Sequence, residues 1–302
     1  GLPDPLPFMG ATISGGVVGN YAPLAIVGSD LKGIEYASKV ASAQVKSALL
    51  LAGLYARGQT SITEPFKSRD HTERMLDAFG VDVEIGGWRV AVTGGSPLKG
   101  CTLYVPGDIS SAAFLIVAAL ITPDSDLLIR EVGMNPTRSG AIDLLRRMGG
   151  TVEYLNMQHR SPEPVADIRV KSSRLHGIDI GPDDIPGAID EFPVLSVAAA
   201  VAEGTTTIKG ASELRVKESD RIAAMVTCLH SLGVKVEELP DGMVIEGGKL
   251  TGATVESFGD HRIAMAMMVA GLVAEGGSEV VGTECIRTSF PDFMGLLKGV
   301  TT

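Results

Sequence analysis

Several absences limit what this chain can do. The three cysteines, Cys101, Cys228 and Cys285, are odd in number, far apart and contain no CxxC pair. That disfavours zinc and a disulfide framework, and a reduced, cytoplasmic thiol state is expected. His71 has no companion ligand set, so no metal is expected. No apolar run of about 18 residues is free of charge or turn residues, and no membrane span is expected. No signal-peptide pattern is visible. Basic side chains are the minority, 26 against 36 acidic, for a net charge of −10. Nucleic acid and anionic membranes are thereby excluded as main partners. An anionic ligand would need the few Lys and Arg concentrated locally.

What the chain does have is hydrophobic content, 45% over 302 residues, enough for two domains of ordinary size. Four stretches read as apolar helices with a polar first turn: 42–54, 110–120, 190–202 and 260–274. Each leads into a strand-like stretch, at 60–63, 127–132, 205–209 and 278–281. A Leu-x-Gly tripeptide announces each: Leu31/Gly33, Leu98/Gly100, Leu175/Gly177 and Leu250/Gly252. The leucines stand 67, 77 and 75 residues apart (31 to 98, 98 to 175, 175 to 250). Strands are expected after the tripeptide, most clearly at 101–105 and 178–180. Amphipathic helices at 71–79, 139–148 and 222–232 each run to a glycine and then a strand, and Gly86-Gly87 reads as a hairpin turn. The result is an α/β chain of repeated βαβαββ modules, each longer than a solenoid repeat. Residues 6–13 look like the middle of such a module, and the chain opens at Gly1 without Met. A fragment, a processed product or one half of a split protein is the expectation. The turn-rich segment Met134 to Gly140 suggests a domain boundary near 130, giving domains 1–129 and 130–302. Residues 156–166, with two prolines, read as a surface loop.

An apolar helix buried except at its N-terminus presents free N–H groups and partial positive charge there, and several together favour an anion. Ser42-Ala43-Gln44 either caps its helix or bonds such a ligand. Asp70 with Glu73 reads as a capping box, which leaves Arg69 just before it to face an anion. His71 reads as exposed rather than catalytic. Ser110-Ser111 follows Asp108, whose charge opposes an anion, so this start reads as structural. Asp190-Glu191 either caps the third apolar helix or supplies a base toward a hydroxyl. The charge run Glu213 to Arg221 is a solvated helix start with Ser219 or Asp220 as cap, or a ligand loop at which Lys217 and Glu218 carry tunable pKa values. Arg262 in a first turn opposes the helix dipole unless Asp260, or a bound carboxylate or phosphate, compensates.

Taken together, Ser42-Ala43-Gln44-Val45-Lys46-Ser47, Arg69-Asp70-His71-Thr72-Glu73, Met134-Asn135-Pro136-Thr137-Arg138, Asp190-Glu191, Leu214 to Arg221, Asp260-His261-Arg262 and Ser289-Phe290-Pro291 resemble, in order, the 5-enolpyruvylshikimate-3-phosphate synthase family. That resemblance implies a two-domain enolpyruvyl transferase fold, an inside-out α/β barrel whose helix N-termini converge on a cleft. It implies transfer of the enolpyruvyl group of phosphoenolpyruvate to the 5-hydroxyl of shikimate 3-phosphate, with release of phosphate and no cofactor. Ser42, Ala43, Gln44, Arg69, Asp190 and Lys217 would bind shikimate 3-phosphate; Gln44, Arg221 and Arg262 would bind phosphoenolpyruvate; and Asp190, Lys217 and Glu218 would move protons. Departures are the family's N-terminal third, expected to be absent here and supplied by a complementary fragment, and Thr288, where many members carry lysine. The rivals are the related enolpyruvyl transferase acting on UDP-N-acetylglucosamine and a non-catalytic anion-binding module of the same fold.

Overall fold

The computed structural model describes residues 5–16, 21–160 and 162–300; Gly1 and Ser161 lie outside them. Two compact units emerge, Gly1–Tyr104 with His159–Glu163, and Val105–Gln158 with Pro164–Thr302. The division therefore falls at 104/105 and not near 130. Its physical cause is the apolar helix that follows residue 105, which packs on two later helices of the second unit. No described helix is long and apolar enough to cross a membrane.

The first unit opens with a 3₁₀ turn Leu6–Met9, closed by Gly10 in the left-handed region, and the antiparallel pair β1 (Thr12–Gly15) and β2 (Tyr21–Val27). There follow β3 (Glu35–Ala37), α1 (Ala43–Gly53), β4 (Gln59–Thr63), α2 (His71–Ala78), β5 (Val83–Gly86) and β6 (Arg89–Thr93). This is the βαβαββ order read from the sequence. The sheet runs β3-β4-β6-β5, with β3 parallel to β4 and the remaining pairs antiparallel. Its core is small: Leu49, Leu50, Leu54, Ile62, Leu76, Val90 and Val92 are the larger members.

In the second unit, α3 (Ile109–Ile121), β7 (Asp126–Gly133), α4 (Gly140–Arg147), β8 (Thr151–Arg160) and β9 (Glu163–Lys171) come first, except that the last two residues of β8 and the first of β9 fall in the first unit. Then β10 (Asp179–Ile180), α5 (Phe192–Ala200), β11 (Thr205–Ile208), α6 (Arg221–Ser231), β12 (Lys235–Leu239) and β13 (Gly242–Glu246) repeat the full module. Their sheet, β10-β11-β13-β12, copies the pairing of the first unit. Last come β14 (Thr254–Glu256), α7 (His261–Ala270), β15 (Glu279–Val281) and α8 (Phe293–Val300). Helices α3, α5 and α7 pack on one another and are buried on nearly every side. That explains why they carry no polar stripe.

The Leu-x-Gly tripeptide has a steric cause. A Cβ at Gly33, Gly177 or Gly252 would lie 2.1, 2.2 or 1.8 Å from the carbonyl oxygen of Gln59, Thr205 or Gly277. The residue before each glycine makes a parallel bridge there (Lys32 to Arg57, His176 to Glu203, Thr251 to Glu275), so only glycine fits. Gly100 has no such neighbour, and residues 101–105 are not a strand, contrary to the sequence reading. The parallel bridge of that module is made by Gly107 to Val132. Residues 156–160 and 163–166 are likewise not loop but the adjoining parts of β8 and β9, whose alternating burial along β9 the two prolines conceal. The amphipathic helices end as read, with Gly80, Gly149 and Gly233 at φ of 79, 93 and 79°.

Candidate functional site

Within the second unit the starts of four helices are joined by side chains. Arg221 opens α6 and is 2% exposed, while Asp260, fully buried, caps α7. Arg221 Nε donates to Asp260 Oδ2 at 2.8 Å and Nη2 donates to Glu218 Oε2 at 2.7 Å; Nη1 lies 3.9 Å from Asp190 Oδ1. Asp260 also accepts the Arg262 backbone N–H at 2.8 Å and the Ser219 hydroxyl at 3.1 Å. Burial alone would raise its carboxyl, but the Arg221 hydrogen bond and charge, with these donors, outweigh it and hold the group below the usual carboxylate range.

Arg262, in the first turn of α7, donates through Nη1 to the Asp190 carbonyl at 2.8 Å. Its Nη2 is 3.9 Å from Asp190 Oδ2 and its Nη1 3.7 Å from Glu191 Oε1. Two arginines thus flank one carboxylate, a concentration of positive charge suited to a carboxylate or phosphate ligand. Asp190 and Glu191 sit in a 3₁₀ turn, Ile189–Glu191, just ahead of α5, and Glu191, at the N-cap, makes no side-chain cap bond. The capping alternative therefore fails for Glu191. Buried Glu191 accepts from Ser110 in the first turn of α3, and Ser110 in turn accepts from Arg138. Burial pushes the Glu191 carboxyl up, against the opposing pull of Ser110 and Arg262. Burial and the adjacent Arg262 charge lower His261, which keeps its imidazole neutral near pH 7. Lys217 stands outside this network, its ammonium paired with Glu213. Asp220 caps α6 by accepting the Ala223 N–H at 3.0 Å, while Ser219 turns to Asp260 instead.

In the first unit, Ser42 caps α1 weakly, its Oγ accepting the Val45 N–H at 3.5 Å, and Gln44 in the first turn is exposed. Ala43 and Arg69 are half-buried. The capping box at Asp70 and Glu73 does not form. Asp70 instead receives Arg74 Nε and Nη2 at 2.9 and 3.2 Å, with Lys67 at 3.1 Å, and Glu73 receives Lys46 at 2.7 Å. Opposite charges already present outcompeted the helix amides. His71 is exposed and meets Glu163 at 2.7 Å. Among the described residues, no group of three or more His, Cys, Asp or Glu is arranged to hold a metal ion. Cys228 is buried, and burial pushes its thiol up to about 12.

Sequence reasoning missed three parts of this picture. The Arg138–Ser110–Glu191 chain, the choice of Asp260 as partner of Arg221, and the pairing of Lys46 with Glu64 and Glu73 all join residues from different elements. Only the last carried a signal: a lysine just past the start of a mainly apolar helix.

Comparison with known proteins agrees with the geometry. The family model for EPSP synthase (3-phosphoshikimate 1-carboxyvinyltransferase) matches residues 2–297. A 3-phosphoshikimate 1-carboxyvinyltransferase of Geobacter metallireducens is 62% identical over 298 residues, covering 98% of this chain and 70% of that protein. Its counterpart in Geobacter sulfurreducens is 61% identical with the same coverage. A solved EPSP synthase from Acinetobacter baumannii superposes with a TM-score of 0.91 at 48% identity, covering 99% of this chain and 69% of that one. A mixed α/β chain of βαβαββ modules, with helix starts tied together through arginine and carboxylate side chains, matched over nearly its whole length by these proteins, belongs to the EPSP synthase family.

Proposed function

We propose that this chain transfers the enolpyruvyl group of phosphoenolpyruvate to the 5-hydroxyl of shikimate 3-phosphate and releases inorganic phosphate, a step of aromatic amino acid biosynthesis. The observation that carries this reading is Asp190 flanked at 3.9 Å by both Arg221 and Arg262. A carboxylate placed between two cations can take a hydroxyl proton while the same cations hold an acidic substrate.

In this reading Arg221 and Arg262 clamp the carboxylate and phosphate of phosphoenolpyruvate, with Gln44 as a further donor. Asp190 orients the ring hydroxyls and accepts the 5-hydroxyl proton. Glu218, more than half exposed and bonded to Arg221, delivers the proton to the methylene carbon and later removes it. Protonation builds positive character at the adjacent carbon as the hydroxyl attacks; elimination then expels phosphate and restores the double bond. Lys217 assists by leaving Glu213 for the hydroxyl side. Ser42, Ala43, Gln44 and Arg69 hold the 3-phosphate at the start of α1. An acid/base pair of this kind is worth about 10²–10⁴-fold.

The test is phosphate release by the chain with both substrates. Asp190→Asn and Glu218→Gln are each expected to lose at least about 10²-fold in kcat with binding retained. Full turnover by either variant would remove its assigned role. Turnover of UDP-N-acetylglucosamine in place of shikimate 3-phosphate would transfer the chain to the related reaction, and anion binding without phosphate release would leave a non-catalytic module.

A further inference from the structure

One buried charge cluster has no part in the chemistry above. Lys46 lies in the interior of α1 at 2% exposure, with Nζ 2.7 Å from Glu73 Oε1 and 3.1 Å from Glu64 Oε2. Both carboxylates are almost fully buried too. Buried ion clusters are a weak source of stability, because the desolvation of each member offsets most of the attraction. Packing alone would be served by an apolar residue at position 46, as at Leu49 and Leu50 in the same helix. Stability therefore does not account for these three side chains.

Glu64 is the junction of the cluster. Its Oε1 accepts the backbone N–H of Ser42 at 3.0 Å. Its Oε2 accepts the Ser68 hydroxyl at 2.8 Å and the Ser68 N–H at 3.5 Å, and Lys46 donates to the Ser68 carbonyl at 3.5 Å. Ser42 is the residue that caps α1, and Ser68 is the residue before Arg69. A single carboxylate, anchored by a buried lysine, thus ties together two backbone segments, at Ser42 and Ser68, that are 26 residues apart (68 − 42). Those are the two segments assigned above to the phosphate of shikimate 3-phosphate.

We infer that Glu64, held by Lys46, is a positioning residue for shikimate 3-phosphate: it sets the start of α1 and the Arg69 loop in register with each other. This inference rests on the proposed function for the identity of the anion. Glu64 touches no substrate in this account. Its effect passes through the Ser42 amide and the Ser68 backbone, and a misplacement of about 1 Å at such a site costs on the order of 10²-fold.

The test uses the whole chain and two substitutions. Glu64→Gln keeps shape and one acceptor oxygen but turns an amide N–H₂ toward Lys46 and Ser68. Ser68→Ala removes only the hydroxyl bond, the shortest tie to the Arg69 loop, and keeps the two longer backbone bonds and the buried ion cluster, so it folds even if the first variant does not. Calorimetric Kd and steady-state KM for shikimate 3-phosphate are expected to rise about tenfold or more in Glu64→Gln and severalfold in Ser68→Ala. The kcat and the KM for phosphoenolpyruvate should stay near wild type in both. If wild type itself fails to bind shikimate 3-phosphate, the reading of the site falls and this inference with it. If wild type binds and both variants bind equally well, the positioning role alone is overturned. Losses in both substrates that merely follow a drop in melting temperature would also overturn it, since they describe a structural ion cluster.

Discussion

Arg221 and Asp260 are both almost completely withdrawn from water, so each depends on the other for its charge. Substituting Asp260→Asn leaves the guanidinium with exposed Glu218 and distant Asp190 only, and should cost about 3–5 kcal/mol in denaturant unfolding. Arg221→Met combined with Asp260→Leu should recover much of that loss while abolishing turnover. Since Asp260 is held below its ordinary 3.8, its contribution is fully present above that pH and is lost as pH falls below it. Glu191 has the opposite sign: raised from 4.5, it favours folding most at low pH and costs stability as pH rises through its folded value. Glu191→Gln should therefore flatten the decline in unfolding free energy as pH rises above 4.5, as measured by denaturant midpoints along a pH series. A decline as steep in the variant as in wild type would remove Glu191 as its source. That Asp190, Arg221 and Arg262 stand at or just ahead of helix starts was legible in the sequence, where the dipole makes an arginine or a pair of acids conspicuous; the roles proposed for them come from the family motifs. Ser110 and Glu191 are 81 residues apart and Arg138 and Ser110 are 28 apart, so no local spacing announces them.

The module itself was legible because its punctuation is physical. Three left-handed glycines stop the amphipathic helices and three tightly packed glycines admit the strand that follows α1, α5 or α7. The second set yields a direct prediction. Gly177→Ala places a methyl 2.2 Å from the Thr205 carbonyl oxygen, so β10 and β11 must separate. A loss of about 1–3 kcal/mol or more is expected, with Gly33→Ala and Gly252→Ala behaving alike. Gly100→Ala, where nothing lies within 4 Å, should be close to neutral, although the same tripeptide marks it. Equal effects at Gly100 and Gly177 would show that the tripeptide matters for some reason other than contact. That odd copy is also where the strand expected at 101–105 failed to form: without a backbone to approach, the glycine carried no structural information. The hairpin of β8 and β9 was concealed for a different reason. Polar residues and two prolines resemble a loop in composition, whereas Val165, Ala166, Ile168 and Val170 are buried along β9, and that alternation is visible only once its partners are known.

The whole chain divides its hydrophobic burial unequally. The second unit holds a continuous core that includes α3, α5 and α7, whereas the first relies on a much smaller cluster around Leu49, Leu50 and Ile62. Less apolar area removed from water means a smaller gain on folding, and each unit has its own core, so a single all-or-none transition is not expected. The one tryptophan provides a selective probe. Trp88 lies in the turn between β5 and β6, inside the first unit, so tryptophan emission excited apart from tyrosine reports that unit alone. Far-ultraviolet circular dichroism is dominated by the helices, most of which belong to the second. On titration with urea, the fluorescence midpoint should come first and the dichroism midpoint later. Shikimate 3-phosphate should raise the fluorescence midpoint in wild type, because a ligand that binds only the folded form stabilises it by mass action. In Glu64→Gln that increase should be much smaller at the same ligand concentration. Coincident midpoints by both probes would show that the two cores unfold as one, and the unequal division of burial would then have no thermodynamic consequence.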